Sequence, residues 1–152
     1  MVLPQPGVND LNFTIEQEVR VDAPIETTFE ALLEQLGPKN ETGEGAPFPM
    51  KVEARPGGRW YRDLGNDNGH LWAHVQAIKR PTLLEFAGPL FLSHPVANNV
   101  QYRLSADGDG TRIVFRHSCL GPVPDEQRAG MDRGWAHMLQ VARTIAEGKR
   151  KR

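Results

Sequence analysis

The first side chains whose spacing suggests chemistry are His70 and His74, with Trp72 between them. On a helix, a spacing of four residues would bring two imidazoles together, as a bound zinc ion requires. Turn-forming residues flank this segment, however, and they favour a strand. On a strand the two rings stand about 13 Å apart, at ~3.3 Å per residue. We therefore predict two surface histidines and no metal site.

His117 and Cys119 suggest a second chemistry, because a Cys–His pair can act as a nucleophile and base. Two residues apart on a strand, the side chains run parallel and ~6.6 Å apart at the backbone, which exceeds hydrogen-bond reach. The spacing thus argues against a catalytic dyad. His117 remains of interest, because it follows Phe115 on a face expected to line the interior. It is either a buried histidine satisfied by a hydrogen bond or a group that orients a ligand.

Large aromatic and methionine side chains recur in the strands and in the last helix. Those that we predict to face a ligand cavity are Trp60, Phe86, Tyr102, Phe115, His117, Met131, Trp135 and Met138. Ordinary core is the default interpretation of such residues at regular spacing. Methionine, however, fills irregular space and accepts varied ligands, and a buried tyrosine hydroxyl needs a partner. The pattern therefore leaves open whether these side chains line a pocket or fill a core.

The acidic turns and the basic tail predict no further site. Asp63, Asp67, Asp107 and Asp109 lie in glycine-rich turns that lack calcium-loop spacing. The C-terminal run GKRKR is a short basic segment, most simply a solvated end. We expect no metal, no cofactor and no nucleic-acid partner.

These side chains must be positioned by a long helix, predicted over residues 124–147. Its apolar residues recur every three or four positions and form one stripe: Met131, Trp135, Met138, Ala142 and Ile145. Gly148 is the expected C-terminal stop. At ~1.5 Å per residue such a helix is about 34 Å long and crosses a small domain.

The remaining pattern predicts a sheet around this helix. An alternating strand covers residues 13–21, and an amphipathic helix follows over residues 24–36. Further strands are predicted at residues 50–55, 59–64, 70–79, 82–87, 100–105 and 111–118. Two irregular segments, residues 37–49 and 88–99, are expected to be mobile and to flank the mouth of the cavity. The order of elements is typical of an α+β fold with an antiparallel sheet.

Composition limits the range of functions. The 152 residues carry a net charge of −1, so no strong field attracts the chain to nucleic acid or acidic membranes. We predict one domain over residues 1–152, with residues 1–11 and 149–152 flexible. The single cysteine, together with the absence of a signal-peptide pattern or long apolar run, predicts a cytoplasmic protein without a membrane span.

Five motifs in order carry a resemblance to a known family. They are VDAPIETTFEALLEQL, the turn PGGRW, the paired strands HVQAIKRPTLLEF, the strand GDGTRIVFRHS and the helix RGWAHMLQVARTIAEG. Over residues 13–147 the chain resembles the START-like (SRPBCC) superfamily. Within it, the chain is similar to the subgroup named after the activator of heat-shock-protein-90 ATPase.

The resemblance implies a helix-grip fold, in which about seven antiparallel strands curl around the C-terminal helix and leave a cavity between them. Family members bind lipids, sterols, polyketides or hormones there, and some act as cyclases or chaperone regulators. We therefore expect an apolar small molecule as partner. The alternatives are a small cyclase- or hydrolase-type enzyme that uses His117 and Tyr102 as acid and base, and a chaperone-regulating interaction module. The sequence does not decide the oligomeric state.

Overall fold

A single antiparallel sheet wraps around the last helix in the computed structural model, which describes residues 1–4 and 7–150. The elements are β1 (Asn12–Val21), α1 (Ile25–Leu36), β2 (Lys51–Val52), β3 (Arg59–Gly65), β4 (Asn68–Lys79), β5 (Leu83–Gly88), β6 (Ala97–Asp107), β7 (Gly110–Leu120) and α2 (Asp125–Arg150). The sheet has seven strands in the order β1-β7-β6-β5-β4-β3-β2. The predicted α+β helix-grip architecture is confirmed.

The two faces of the sheet differ in polarity, as the alternation of residues predicted. On β6, Val100, Tyr102 and Leu104 are buried on the inner face. On the outer face, Arg112 of β7 forms an ion pair with Glu18 of β1. The apolar inner face is the one that receives α2.

Helix α1 closes one end of the sheet and packs against α2. It buries Phe29, Leu32 and Leu36 on a single stripe. The helix ends at Gly37, whose N–H lies 3.1 Å from the carbonyl oxygen of Leu33 and 3.2 Å from that of Glu34. The predicted helix over residues 24–36 is confirmed.

Helix α2 is continuous, as predicted, but its buried stripe and its end differ from expectation. The buried positions are Met131, Trp135, Leu139, Ala142 and Ala146. Met138 and Ile145 lie on one flank of that stripe and are only half-buried. The expected stop at Gly148 is wrong. The helix continues because Lys149 binds Glu34 at 2.9 Å and Arg150 binds Asp22.

The predicted strand over residues 50–55 is wrong beyond its first residues. Only Lys51–Val52 pairs with β3, because residues 53–58 turn back tightly. In that turn a side-chain carbon at Gly58 would lie 1.8 Å from the carbonyl oxygen of Glu53, so only glycine fits. The next four predicted strands and the last one are present, each with slightly different ends.

The irregular segments are anchored by buried side chains. Asn40 is buried in the first, which is followed directly by the buried Met50, and Leu90 and Leu92 are buried in the second. Leu90 adopts a left-handed conformation, with φ of 57°, which places its N–H 2.6 Å from the carbonyl oxygen of Trp72. The greater mobility of both segments stays a prediction.

Of the terminal segments expected to be flexible, residues 5–6 and 151–152 lie outside the described residues. Val8–Leu11 forms a short 3₁₀ helix before β1, and residues 149–150 belong to α2.

Candidate functional site

The inner face of the sheet is occupied largely by aromatic rings in mutual contact. Trp60 and Phe86 have ring centroids 4.8 Å apart. Tyr102 and Phe115 follow at 5.1 Å, and Phe115 reaches Trp135 of α2 at 4.8 Å. All five side chains are at most 1% exposed. These predicted site residues therefore come together, but as packed rings.

His117 sits among these rings in a continuous chain of hydrogen bonds. The indole N–H of Trp135 donates to its Nδ1 at 3.1 Å. Since Nδ1 is an acceptor, the proton is on Nε2, which donates to Oδ1 of Asn98 at 2.8 Å. The Asn98 amide in turn donates to the carbonyl oxygen of Gly88 at 3.0 Å. The chain links α2 through β7 and β6 to the start of the second irregular segment.

The environment of His117 keeps the imidazole neutral. Burial lowers its pKa to about 4, because a charged ring would lose its hydration there. Both ring nitrogens are already engaged, so the imidazole has no free nitrogen with which to activate Cys119. Burial also raises the pKa of the Cys119 thiol, which disfavours a thiolate.

Tyr102 differs from His117 in that its hydroxyl is buried without a hydrogen-bond partner among the described residues. Burial raises the pKa of this phenol. By contrast, the indole N–H of Trp60 donates to the carbonyl oxygen of Leu36 at 2.8 Å. The Tyr102 hydroxyl is therefore a polar group inside the ring cluster whose hydrogen-bonding capacity is unused.

A pocket of about 290 Å³ lies beside this cluster, between α2 and the segment after β5. Three of the predicted residues, Met131, Trp135 and Met138, line it. Sequence reasoning missed the other lining residues, which are Phe91, Gln127, Gly130 and Gly134. A usable signal was present, because two glycines four residues apart interrupt a helix where alanine would be favoured. We call this space the Phe91 pocket.

A second pocket, of about 580 Å³, lies further along α2. Pro38 and Pro47 form one side of it, and Val141 and Ile145 of α2 form the other. The carboxylate of Glu41 and the imidazole of His137 meet across it at 3.0 Å. We call this space the Glu41 pocket. Each irregular segment thus borders one pocket.

The two histidines considered for a metal, His70 and His74, are both exposed on β4. Over residues 1–4 and 7–150, no group of three or more His, Cys, Asp or Glu side chains is placed to hold a metal ion. No helix in that part of the chain is both long and apolar enough to cross a membrane.

Solved structures of similar shape are numerous. An uncharacterised protein from Rhizobium leguminosarum superposes with a TM-score of 0.68 at 20% identity, covering 90% of this chain and 95% of that one. The protein Ara h 8.0201 gives 0.64 at 16% identity, with 89% and 97% coverage. The di-domain ARO/CYC protein StfQ of steffimycin biosynthesis gives 0.68 at 12% identity, with 95% and 54% coverage. At such identities the likeness shows the fold alone.

No curated protein sequence matches the chain significantly. A family model does match, over residues 22–145, and its description is activator of Hsp90 ATPase homolog 1-like protein. The match runs from the residues before α1 to the second half of α2, and so includes both pockets. The chain therefore belongs to the family of activator of Hsp90 ATPase homolog 1-like proteins.

Proposed function

We propose that the protein binds an apolar small molecule in the Phe91 pocket. The observation that supports this most directly is the pair of glycines, Gly130 and Gly134, in the interior of α2 beside the pocket. Side-chain carbons added at these positions would meet no atom within 4 Å. Close packing therefore does not account for the glycines, whereas the volume they leave open does suit a ligand.

The two glycines lower the stability of α2. Glycine in a helix interior is about 1 kcal/mol less favourable than alanine, so the two positions together weaken α2 by about 2 kcal/mol. Ligand binding in the open space would account for the presence of two glycines despite this loss of helix stability. The surrounding side chains suit an apolar ligand, since Phe91, Met131 and Met138 contribute aromatic and thioether surface.

The pocket is small. Its volume of about 290 Å³ lies at the lower end of the range for ligand sites, ~300–1,000 Å³. We infer that it holds a compact apolar molecule, or the apolar end of a longer one. We place this activity in the cytoplasm, because the single cysteine, Cys119, is buried and free. We assign it to one domain, because a single sheet contains all seven strands.

The test is a thermal-shift screen of hydrophobic acids, sterols and aromatic polyketide-like compounds on the wild type and on Gly134→Leu. We expect at least one compound to raise the melting temperature of the wild type but not that of Gly134→Leu, because the leucine side chain fills the pocket. Gly148→Leu is the matched control, because Gly148 is also in α2 with open space around it but lies outside the pocket. A compound that stabilises Gly134→Leu as much as the wild type would contradict this assignment, as would a screen without hits.

The alternatives have less support. An acid–base enzyme would need a reactive group in contact with the ligand, but His117 and Tyr102 lie in the packed interior and line neither pocket. A chaperone-regulating module would need a contiguous exposed apolar patch. Leu64 and Leu71 are exposed on the β3–β4 hairpin, but two side chains make a small patch.

A further inference from the structure

We propose that the Phe91 pocket and the Glu41 pocket form one groove along α2, and that its ligand is an elongated apolar molecule with an uncharged hydroxyl at one end. The inference rests on the proposed function, because the apolar end of the ligand would occupy the Phe91 pocket. It adds the shape of the ligand, the chemistry of its polar end and the side chain that recognises that end.

The helix side of the groove is continuous. Met138 lines the first pocket, and Val141 and Ile145 line the second. Side chains three and four residues apart are neighbours on a helix surface, so these three form a single apolar row. Met138 and Ile145 are half-buried, which places them at the border between the core and the groove.

Opposite the helix, a series of apolar rings in contact runs from one pocket towards the other. The rings of Phe91 and Trp72 have centroids 5.4 Å apart, and those of Trp72 and Phe48 are 6.0 Å apart. Pro47, adjacent to Phe48 in the chain, lines the Glu41 pocket. This series of rings connects Phe91, which lines one pocket, to Pro47, which lines the other, through Trp72 and Phe48, which line neither.

The length of the groove sets the length of the ligand. From Gly134 in the first pocket to Val141 in the second is seven residues, or about 10 Å along the helix axis. A compact ring would fill only one of the two spaces. A linear chain or a fused-ring skeleton of that length would fill both.

The charges at the far end select an uncharged polar group. Glu41 Oε1 faces His137, and the other carboxylate oxygen, Oε2, has no hydrogen-bond partner in the described part of the chain. Lys39 also borders this pocket, where its ammonium lies 3.3 Å from Glu34. A carboxylate head would meet Glu41, which repels it, and Lys39, which attracts it, and an ammonium head would meet the reverse. Neither charged head therefore gains a net attraction that offsets its lost hydration. A hydroxyl can donate to Glu41 and accept from Lys39.

The polar group of the Phe91 pocket is less suited to this role. Gln127 is the polar side chain there, and its Oε1 lies 3.0 Å from Nε2 of His94. That hydrogen bond ties α2 to the segment carrying Phe91. We therefore assign the hydroxyl to the Glu41 end and the apolar end to the Phe91 pocket.

The experiment measures affinities by NMR titration for toluene, octanol, decanol, decanoate and decylamine. We expect decanol to bind more tightly than octanol and at least about tenfold more tightly than decanoate or decylamine. Glu41→Ala should weaken the binding of decanol by about tenfold, which is the equivalent of one hydrogen bond to a charged group. The same substitution should leave the affinity for toluene unchanged. Glu41→Gln, which preserves the shape of the side chain, should show a smaller loss in the same direction.

Glu44→Ala is the matched control, because it removes a carboxylate from the same segment at an exposed position away from both pockets. If toluene binds and Gly134→Leu abolishes its binding, but decanol shows neither preference nor dependence on Glu41, the elongated groove is wrong and the proposed function stands. An equal loss of toluene and decanol in Glu41→Ala also overturns the groove, since the residue would then act on the fold. If no probe binds, both proposals fail.

Discussion

The hydrogen-bond chain through His117 leads to a quantitative prediction about acid stability. In the folded protein burial lowers the pKa of His117 to about 4, whereas the ordinary value of 6.5 applies to the unfolded chain. Between pH 6.5 and about pH 4 the unfolded chain binds a proton that the folded protein does not, so the free energy of unfolding falls as pH falls. At ~1.36 kcal/mol per pH unit, the loss from this one residue is about 3 kcal/mol. The contribution is complete above pH 6.5 and gone below about pH 4.

The perturbation that isolates this effect is His117→Gln. A glutamine amide has one acceptor and one donor group, so it can still accept from Trp135 and donate to Asn98, but it does not titrate. Urea unfolding of both proteins at about pH 7 and about pH 4 gives the free energies. We expect the wild type to lose about 3 kcal/mol more than His117→Gln over this range.

The carboxylates titrate in both proteins, so their contribution to the pH dependence of stability cancels when the two proteins are compared. His70→Gln is the matched control, because His70 is exposed and outside the chain of hydrogen bonds, and it should lose as much stability as the wild type. Equal losses of stability in the wild type and His117→Gln between the two pH values would refute a lowered pKa for His117. That result would mean that the folded protein accepts a proton at His117, with the bond from Trp135 broken.

Three further predictions concern stability at neutral pH. Tyr102→Phe should raise the unfolding free energy by about 1 kcal/mol, because it removes a buried hydroxyl without a partner among the described residues. A lower unfolding free energy, measured by chemical denaturation, would instead indicate that the hydroxyl binds a buried water. Gly58→Ala should cost about 1–3 kcal/mol or more, because its added carbon meets the Glu53 carbonyl. Gly43→Ala, where space is open, should be near neutral, and equal melting temperatures for these two variants would contradict the tight turn. Gly130→Ala should stabilise by about 1 kcal/mol through helix propensity, and a lower melting temperature would show that the open space is needed for folding.

The architecture was predictable because each element carries its own periodicity. Alternation marks β1 and β6, and steps of three and four mark α1 and α2. The end of α2 was not predictable from its local sequence, since the ion pair between Lys149 and Glu34 joins residues far apart in the chain. Such tertiary contacts override the local stop signal of a glycine.

The site was predictable only in part, and for a related reason. Trp60, Phe86 and Phe115 were correctly expected on the inner face, but periodicity does not reveal whether such rings touch one another or leave space. The location of the Phe91 pocket depends on Phe91, which lies in a segment without periodicity. Its position follows from the left-handed backbone at Leu90, which sequence patterns do not indicate.

The uneven composition of α2 has a consequence for how the molecule moves. Near its C-terminal end the helix is tied to the rest of the protein, because Glu147 accepts the Asp22 N–H at 3.1 Å. Its N-terminal half carries Gly130 and Gly134, each of which lowers the free energy of local opening by about 1 kcal/mol. Gln127 and Trp135 also tie this half to its neighbours, so we expect the amide hydrogens around the two glycines, rather than the whole half, to exchange faster than those further along the helix. Such a local opening of α2 would give the proposed ligand a way in beside Phe91, while the sheet and the other end of α2 stay folded.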